Sequence, residues 1–121
     1  MHSDPTRNPL APTTDTDTFF ATDLRVGTIR EVAPFPEARK PAWKLWVDFG
    51  PAIGTRASSA RITDLYAAED LVGMQVVALV NVPPRQVGPF TSECLVTGFE
   101  GPDGVVLATV ERPVANGTRL T

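Results

Sequence analysis

A small all-β barrel with one short helix is the fold this sequence predicts, and three observations carry the prediction. Apolar and polar residues alternate in short runs bounded by turn residues, as half-buried strands do. Twelve prolines fall almost entirely between those runs and leave no room for long helices. A single internal segment, after the third run, carries helical spacing instead.

The elements follow in chain order. Residues 1–18 are rich in Pro, Thr and Asp and nearly devoid of apolar side chains, which predicts a disordered acidic leader followed by one domain over 19–121. Phe19 and Phe20 open the folded part and are expected to plug one end of the barrel. Leu24 to Val32 is the first strand, with Gly27 as a bulge or strong bend. Trp43 to Phe49 is the second, and it sorts cleanly by parity. Trp43, Leu45, Val47 and Phe49 share the face that fills a core, while Lys44, Trp46 and Asp48 share the other. Gly50-Pro51 closes it. Thr55 to Ala60, small and polar, is the third strand and is expected to be half exposed. A helix follows, capped by Thr63 with Asp64 in its first turn, burying Leu65, Ala68, Leu71 and Val72 and ending at Gly73. Met74 to Val82 is the fourth strand, apolar enough to predict burial on both faces. Leu95 to Phe99 is the fifth, and Val105 to Glu111 the sixth, after the turn Gly101-Pro102-Asp103-Gly104. This order suits a five-stranded Greek-key OB-fold barrel with the short helix between strands three and four and an extra C-terminal strand. A small sandwich is the alternative that periodicity leaves open.

Length and charge bound the function. A chain of 121 residues fits one domain. With 11 basic and 14 acidic residues the net charge of −3 argues against a general polyanion binder. Its distribution says more. Residues 1–23 sum to −3, residues 35–61 to +3 and residues 62–111 to −6, so the cations gather beside the aromatic second strand. The lone Cys94 excludes an internal disulfide and, in the run Cys94-Leu95-Val96, reads as a small core residue. No apolar stretch approaches the ~20 residues of a membrane span and no secretory h-region is present, which predicts a cytoplasmic protein.

The candidate site residues form two groups. Arg39, Lys40 and Lys44 flank the turn into the second strand, where an OB barrel has the rim of its ligand-binding face. With Arg56, Ser58 and Arg61 on and after the third strand, and Arg85 beyond the fourth, they make a candidate cationic rim for phosphate or polypeptide. Trp46 suits ligand contact or a dimer interface equally, since an amphipathic indole serves either. Pro83 and Pro84 stiffen the exit of the fourth strand, and with Val87 and Phe90 they are candidates for an apolar pocket or a dimer contact. No catalytic residue is assigned: the only histidine, His2, lies in the leader, so no serine in the body has a base. No Cys/His cluster predicts a metal and no Gly-rich phosphate loop predicts a cofactor.

The block Asp23-Leu24-Arg25-Val26-Gly27-Thr28-Ile29 resembles the opening strand of tRNA-binding OB domains, which occur free-standing and at the C-terminus of bacterial methionyl-tRNA synthetases. Phe35-Pro36-Glu37-Ala38-Arg39-Lys40-Pro41-Ala42, Asp48-Phe49-Gly50 and Ser58-Ser59-Ala60-Arg61-Ile62-Thr63 look like the CsaA-type export-related chaperones in particular. So do Val80-Asn81-Val82-Pro83-Pro84-Arg85-Gln86-Val87, Ser92-Glu93-Cys94-Leu95-Val96 and Val114-Ala115-Asn116-Gly117-Thr118-Arg119. The resemblance runs in order through about residues 19–121. It implies an OB barrel that assembles as a homodimer and acts as an ATP-independent chaperone. Its partners would be unfolded or export-destined polypeptide, held in apolar pockets associated with the dimer, and the protein-export machinery. The same relationship leaves a tRNA-binding module as the alternative function. The acidic leader and negative net charge depart from the pattern and weaken the tRNA expectation more than the chaperone one.

Overall fold

The computed structural model describes residues 7–121. Two short helices, α1 (Thr16–Phe20) and α2 (Ala68–Leu71), accompany nine strands. These are β1 (Leu24–Pro34), β2 (Trp43–Asp48), β3 (Thr55–Ala60), β4 (Gln75–Leu79), β5 (Arg85–Val87), β6 (Phe90–Ser92), β7 (Leu95–Val96), β8 (Gly98–Gly101) and β9 (Gly104–Leu107). Five strands form one antiparallel sheet in the order β3-β2-β1-β4-β7. The sheet curls until β3 meets the chain around β7, giving the nearly closed five-stranded barrel of the OB type. Among the described residues no helix is long and apolar enough to cross a membrane.

β1 is the spine. Its first half, Leu24 to Thr28, pairs with β4, and its second half, Thr28 to Pro34, pairs with β2. The register slips between Ile29 and Glu31, so the bulge sits near Arg30 and not at Gly27. Gly27 has a different job. A Cβ there would lie 2.6 Å from Val47 Cγ1 and 2.7 Å from Phe49 Cδ1, so its bare backbone lets these two side chains cross it. Inside the barrel, Ile29, Leu45, Val47, Phe49, Leu71, Val76 and Ala78 are fully buried.

Several expected elements shift. The helix between β3 and β4 is a single turn that starts at Ala68, where Asp70 accepts the Ala67 N–H at 3.1 Å; Thr63 does not cap it. Tyr66 explains the delay. Its carbonyl accepts the Trp43 indole N–H at 2.9 Å and its hydroxyl accepts the Leu107 N–H at 3.0 Å, which commits it as a cross-brace outside any helix. Of the predicted stripe only Leu71 is buried, while Leu65 and Val72 are exposed. β4 alternates, with Val76 and Ala78 buried and Val77 and Leu79 half-buried, because the C-terminal segment covers its second face only in part. The expected fifth strand divides into β7 and the start of β8, and β9 stops at Leu107.

The extra C-terminal pairing falls further on. Val26 N–H donates to Thr118 O at 2.9 Å, Gly117 N–H to Val26 O at 2.8 Å and Leu120 N–H to Leu24 O at 2.8 Å, filling the β1 edge that β2 leaves open. Two arginines fasten this join. Arg25 Nε lies 2.5 Å from Asp23 Oδ1 and its Nη1 donates to Gly117 O, while Arg119 lies 3.5 Å from the same carboxylate and donates to Phe20 O. Phe19 and Phe20 do not plug the barrel. They sit in α1, edge-to-face at 5.1 Å, and both are exposed. α1 itself begins where Asp15 accepts the Thr18 N–H at 2.7 Å.

Candidate binding face

Strand pairing decides which side chains share the outer face of the barrel. Cross-strand partners in an antiparallel pair point the same way. Trp46 pairs with Glu31 and Ala57, and Lys44 pairs with Ala33 and Ser59, so these residues lie on the outer face. Trp43, Leu45 and Val47 face the interior, with Ala60, Ser58 and Arg56 opposite them on β3. The predicted parity of β2 is therefore realised: Leu45 and Val47 are fully buried, and Trp46 is half-buried on the opposite side.

Over this outer face folds a hairpin that the sequence presents only as a stiff loop. β5 and β6 pair around Gly88-Pro89, with Gly88 at φ +56°. The hairpin delivers Phe90 onto Trp46 at 5.8 Å and onto Phe35 at 5.5 Å, both edge-to-face. Lys44 Nζ stands 5.0 Å from the Phe35 ring centre and 5.5 Å from that of Phe90. The result is a rigid aromatic cluster with a cation across it. Of the predicted apolar group, Trp46 and Phe90 meet directly and Val87 is half-buried beside Phe90 in the hairpin register. Pro83 and Pro84 are exposed on the approach to β5. Phe35, buried beneath Phe90, is the member not singled out from sequence; its place at the head of the basic turn was the available signal.

The predicted cationic rim divides in two. Arg39, Lys40, Arg61 and Arg85 are exposed, and among the described residues neither they nor Lys44 form an ion pair. Arg25, Arg30, Arg112 and Arg119, which do form ion pairs, all lie outside that group. Arg56 and Ser58 leave the rim for the interior. Arg56 is half-buried and donates to Val80 O at 3.4 Å; Ser58 is buried and donates to Cys94 O at 3.1 Å. Ser58 belongs to a seam where side chains replace a ladder. Ala57 N–H donates to the Glu93 carboxylate at 2.9 Å and Ser59 N–H to Ser92 Oγ at 3.3 Å, while Glu93 N–H returns to Ala57 O. Cys94, inside this seam, is buried, and burial chiefly pushes its thiol up to about 11.

Beyond the aromatic cluster, the face ends in a cleft of 590 Å³. Lys40 and Arg61 line it, from the β1–β2 turn and the exit of β3. Asp64, Glu100 and Asp103 also line it, with the β8–β9 turn packed against Asp64: a Cβ on Gly104 would lie 2.8 Å from the Asp64 Cβ.

A curled five-stranded antiparallel barrel with an aromatic patch and exposed cations on its outer face defines a domain of the OB class. The chain belongs to the family described as the putative tRNA binding domain, whose model matches residues 24–119. Among solved structures it is similar to the chaperone CsaA of Bacillus anthracis, with 42% identity and a TM-score of 0.85 over 91% of this chain and 100% of that one. The CsaA chaperone protein of Picrophilus torridus is 41% identical, with a TM-score of 0.86 over 90% and 100%. Among curated proteins, methionine–tRNA ligase of Protochlamydia amoebophila is 33% identical over 112 residues, 93% of this chain. The chain spans only 16% of that ligase.

Proposed function

We propose that this chain is a non-enzymatic, ATP-independent chaperone that works in the cytoplasm as a homodimer, capturing unfolded or export-destined polypeptide and passing it to the protein-export machinery. The observation that carries the reading is the Phe35–Trp46–Phe90 cluster with Lys44 across it, mounted on the outer face of a rigid barrel. Rings already fixed by mutual contact lose little freedom when an apolar side chain settles on them, so capture needs no energy input. Similarity to two CsaA chaperones over their full length supports the same reading. The test is light scattering of an aggregating, chemically denatured substrate at stoichiometric dimer. Suppression is expected; no protection at any ratio overturns the reading, and sedimentation as a monomer overturns its dimeric part.

A second reading, tRNA binding, rests on family membership and on the cations Arg39, Lys40, Arg61 and Arg85, which form no ion pair among the described residues. Filter binding of tRNA should then weaken linearly with the logarithm of salt. Replacing Arg39 and Lys40 with Glu separates the two readings. RNA binding should collapse, with the salt slope reduced by about 2, whereas capture of an uncharged apolar peptide should survive.

A further inference from the structure

The charges set about the aromatic cluster do not balance. Lys44 and Trp46 stand two positions apart on β2, so they share its outer face at a spacing of about 7 Å. Lys44 Nζ is drawn in over the Phe35 and Phe90 rings, and Lys44 is half-buried there. The hairpin repeats the pattern. Arg85 pairs with Ser92 and Val87 with Phe90, so Arg85 shares a hairpin face with Phe90, two positions from Val87. Among the described residues neither cation forms an ion pair. Two of the neighbouring carboxylates are already committed, Asp48 to Arg30 at 3.3 Å and Glu93 to the Ala57 N–H at 2.9 Å. That leaves Glu31, opposite Trp46 in the β1–β2 register, as a single carboxylate against Lys44 and Arg85.

We infer that the aromatic cluster selects extended polypeptide in which an apolar side chain has an acidic residue two positions away, and that it disfavours a basic residue at that place. Side chains i and i+2 of an extended chain point to one side and stand about 7 Å apart, the spacing of Trp46 and Lys44. The apolar side chain rests on Trp46 and Phe90, and the carboxylate meets Lys44 or Arg85. Because Lys44 is already held over the two rings, the carboxylate gains its attraction with little further ordering of the lysine. A basic side chain in the same place meets like charge, which is the discriminating element. An acidic residue directly beside the apolar one points away from the face and gains much less. A phosphate backbone, charged at every step, would meet Glu31 as well as the cations. This inference rests on the polypeptide-capture reading and names the class of segment captured.

The experiment is fluorescence anisotropy of the full chain with identically labelled peptides. The first reads Gly-Asp-Gly-Phe-Gly-Asp-Gly, with acidic residues on both sides so that the direction of the bound chain does not matter. Two others carry Asn or Lys in place of both Asp residues, and a fourth, Gly-Gly-Asp-Phe-Asp-Gly-Gly, keeps the composition and changes the spacing. At low salt the first should bind about tenfold more tightly than the Asn peptide, the Lys peptide should bind most weakly, and the respaced peptide should lose most of the gain. In 1 M salt the preference should disappear, an arm that needs no variant. Lys44→Gln with Arg85→Gln should bring the Asp-to-Asn ratio to about one, whereas Arg112→Gln, which removes an exposed charge elsewhere, should retain it. Equal binding of the Asp and Asn peptides at low salt, with aggregation suppression intact, overturns this inference and leaves the chaperone reading standing. Failure of every peptide to bind, together with no suppression, overturns both. Binding of tRNA more tightly than the Asp peptide at the same salt, with displacement of that peptide, assigns the two cations to phosphate and also overturns the inference.

Discussion

At Trp46 the side chain's fate follows from counting residues. The alternation Trp43–Phe49 is unambiguous because Leu45, Val47 and Phe49 cannot be left in water, and that fixes Lys44 and Trp46 outward. The neighbouring strand gives no such help. Thr55-Arg56-Ala57-Ser58-Ser59-Ala60 has no apolar side to choose, so Ser58 and Arg56 read as surface groups. Only the pairing with β2 shows that they face inward, where Cys94 O accepts from Ser58 and Val80 O accepts from Arg56. Gly27 was legible as special, though not for its actual reason. Gly27→Ala forces a methyl into Val47 and Phe49 and should destabilise the fold by about 1–3 kcal/mol, read as a lowered urea midpoint with little change in slope. Cys94 supplies a reactivity check. With its thiol raised to about 11, it should resist a thiol reagent at pH 8 in the native state and react promptly once urea unfolds the chain.

Among the elements, long strands with a buried face were readable and short ones held by remote partners were not. β1, β2 and β3 carry most of the barrel and start where the sequence places them. α1 was hidden by its polar context, although Asp15 ahead of Thr16-Asp17-Thr18 is a capping signal. The β5–β6 hairpin was hidden because its two prolines and Gly88 suggest a loop, and its pairing is fixed by Phe90 landing on Trp46. That dependence gives a prediction. Phe90→Ala removes both ring contacts and should loosen the hairpin without unfolding the barrel. Trp46 emission should shift to the red, and stability should fall by about 1–2 kcal/mol. An unchanged emission spectrum would mean the hairpin is placed by something else.

For the whole molecule, the OB topology followed from the order of elements, while the closing of the two ends of the fold on one another did not. Asp23 binds Arg25 and Arg119, so a residue before β1 holds the segment after β9. Its carboxyl lies below its ordinary value, first because of the hydrogen bond from Arg25 and then through the charges of Arg25 and Arg119. A carboxyl depressed by folding contributes stability that is present above its unfolded pKa and lost as pH falls through the folded one. The wild-type chain should therefore lose part of its stability as pH drops below about 4, and Asp23→Asn should lower the midpoint at pH 7 while flattening that acid decline. Urea midpoints at pH 7 and pH 3 measure both effects; parallel decline in the two proteins would place the acid sensitivity elsewhere.

The side-chain seam along β3 has a consequence for how copies of the chain meet one another. An edge whose amides point into water is a template on which copies stack end over end into fibrils. Here Glu93 and Ser92 already occupy the amides of Ala57 and Ser59, so those two amides offer no template on which a second copy could begin to polymerise.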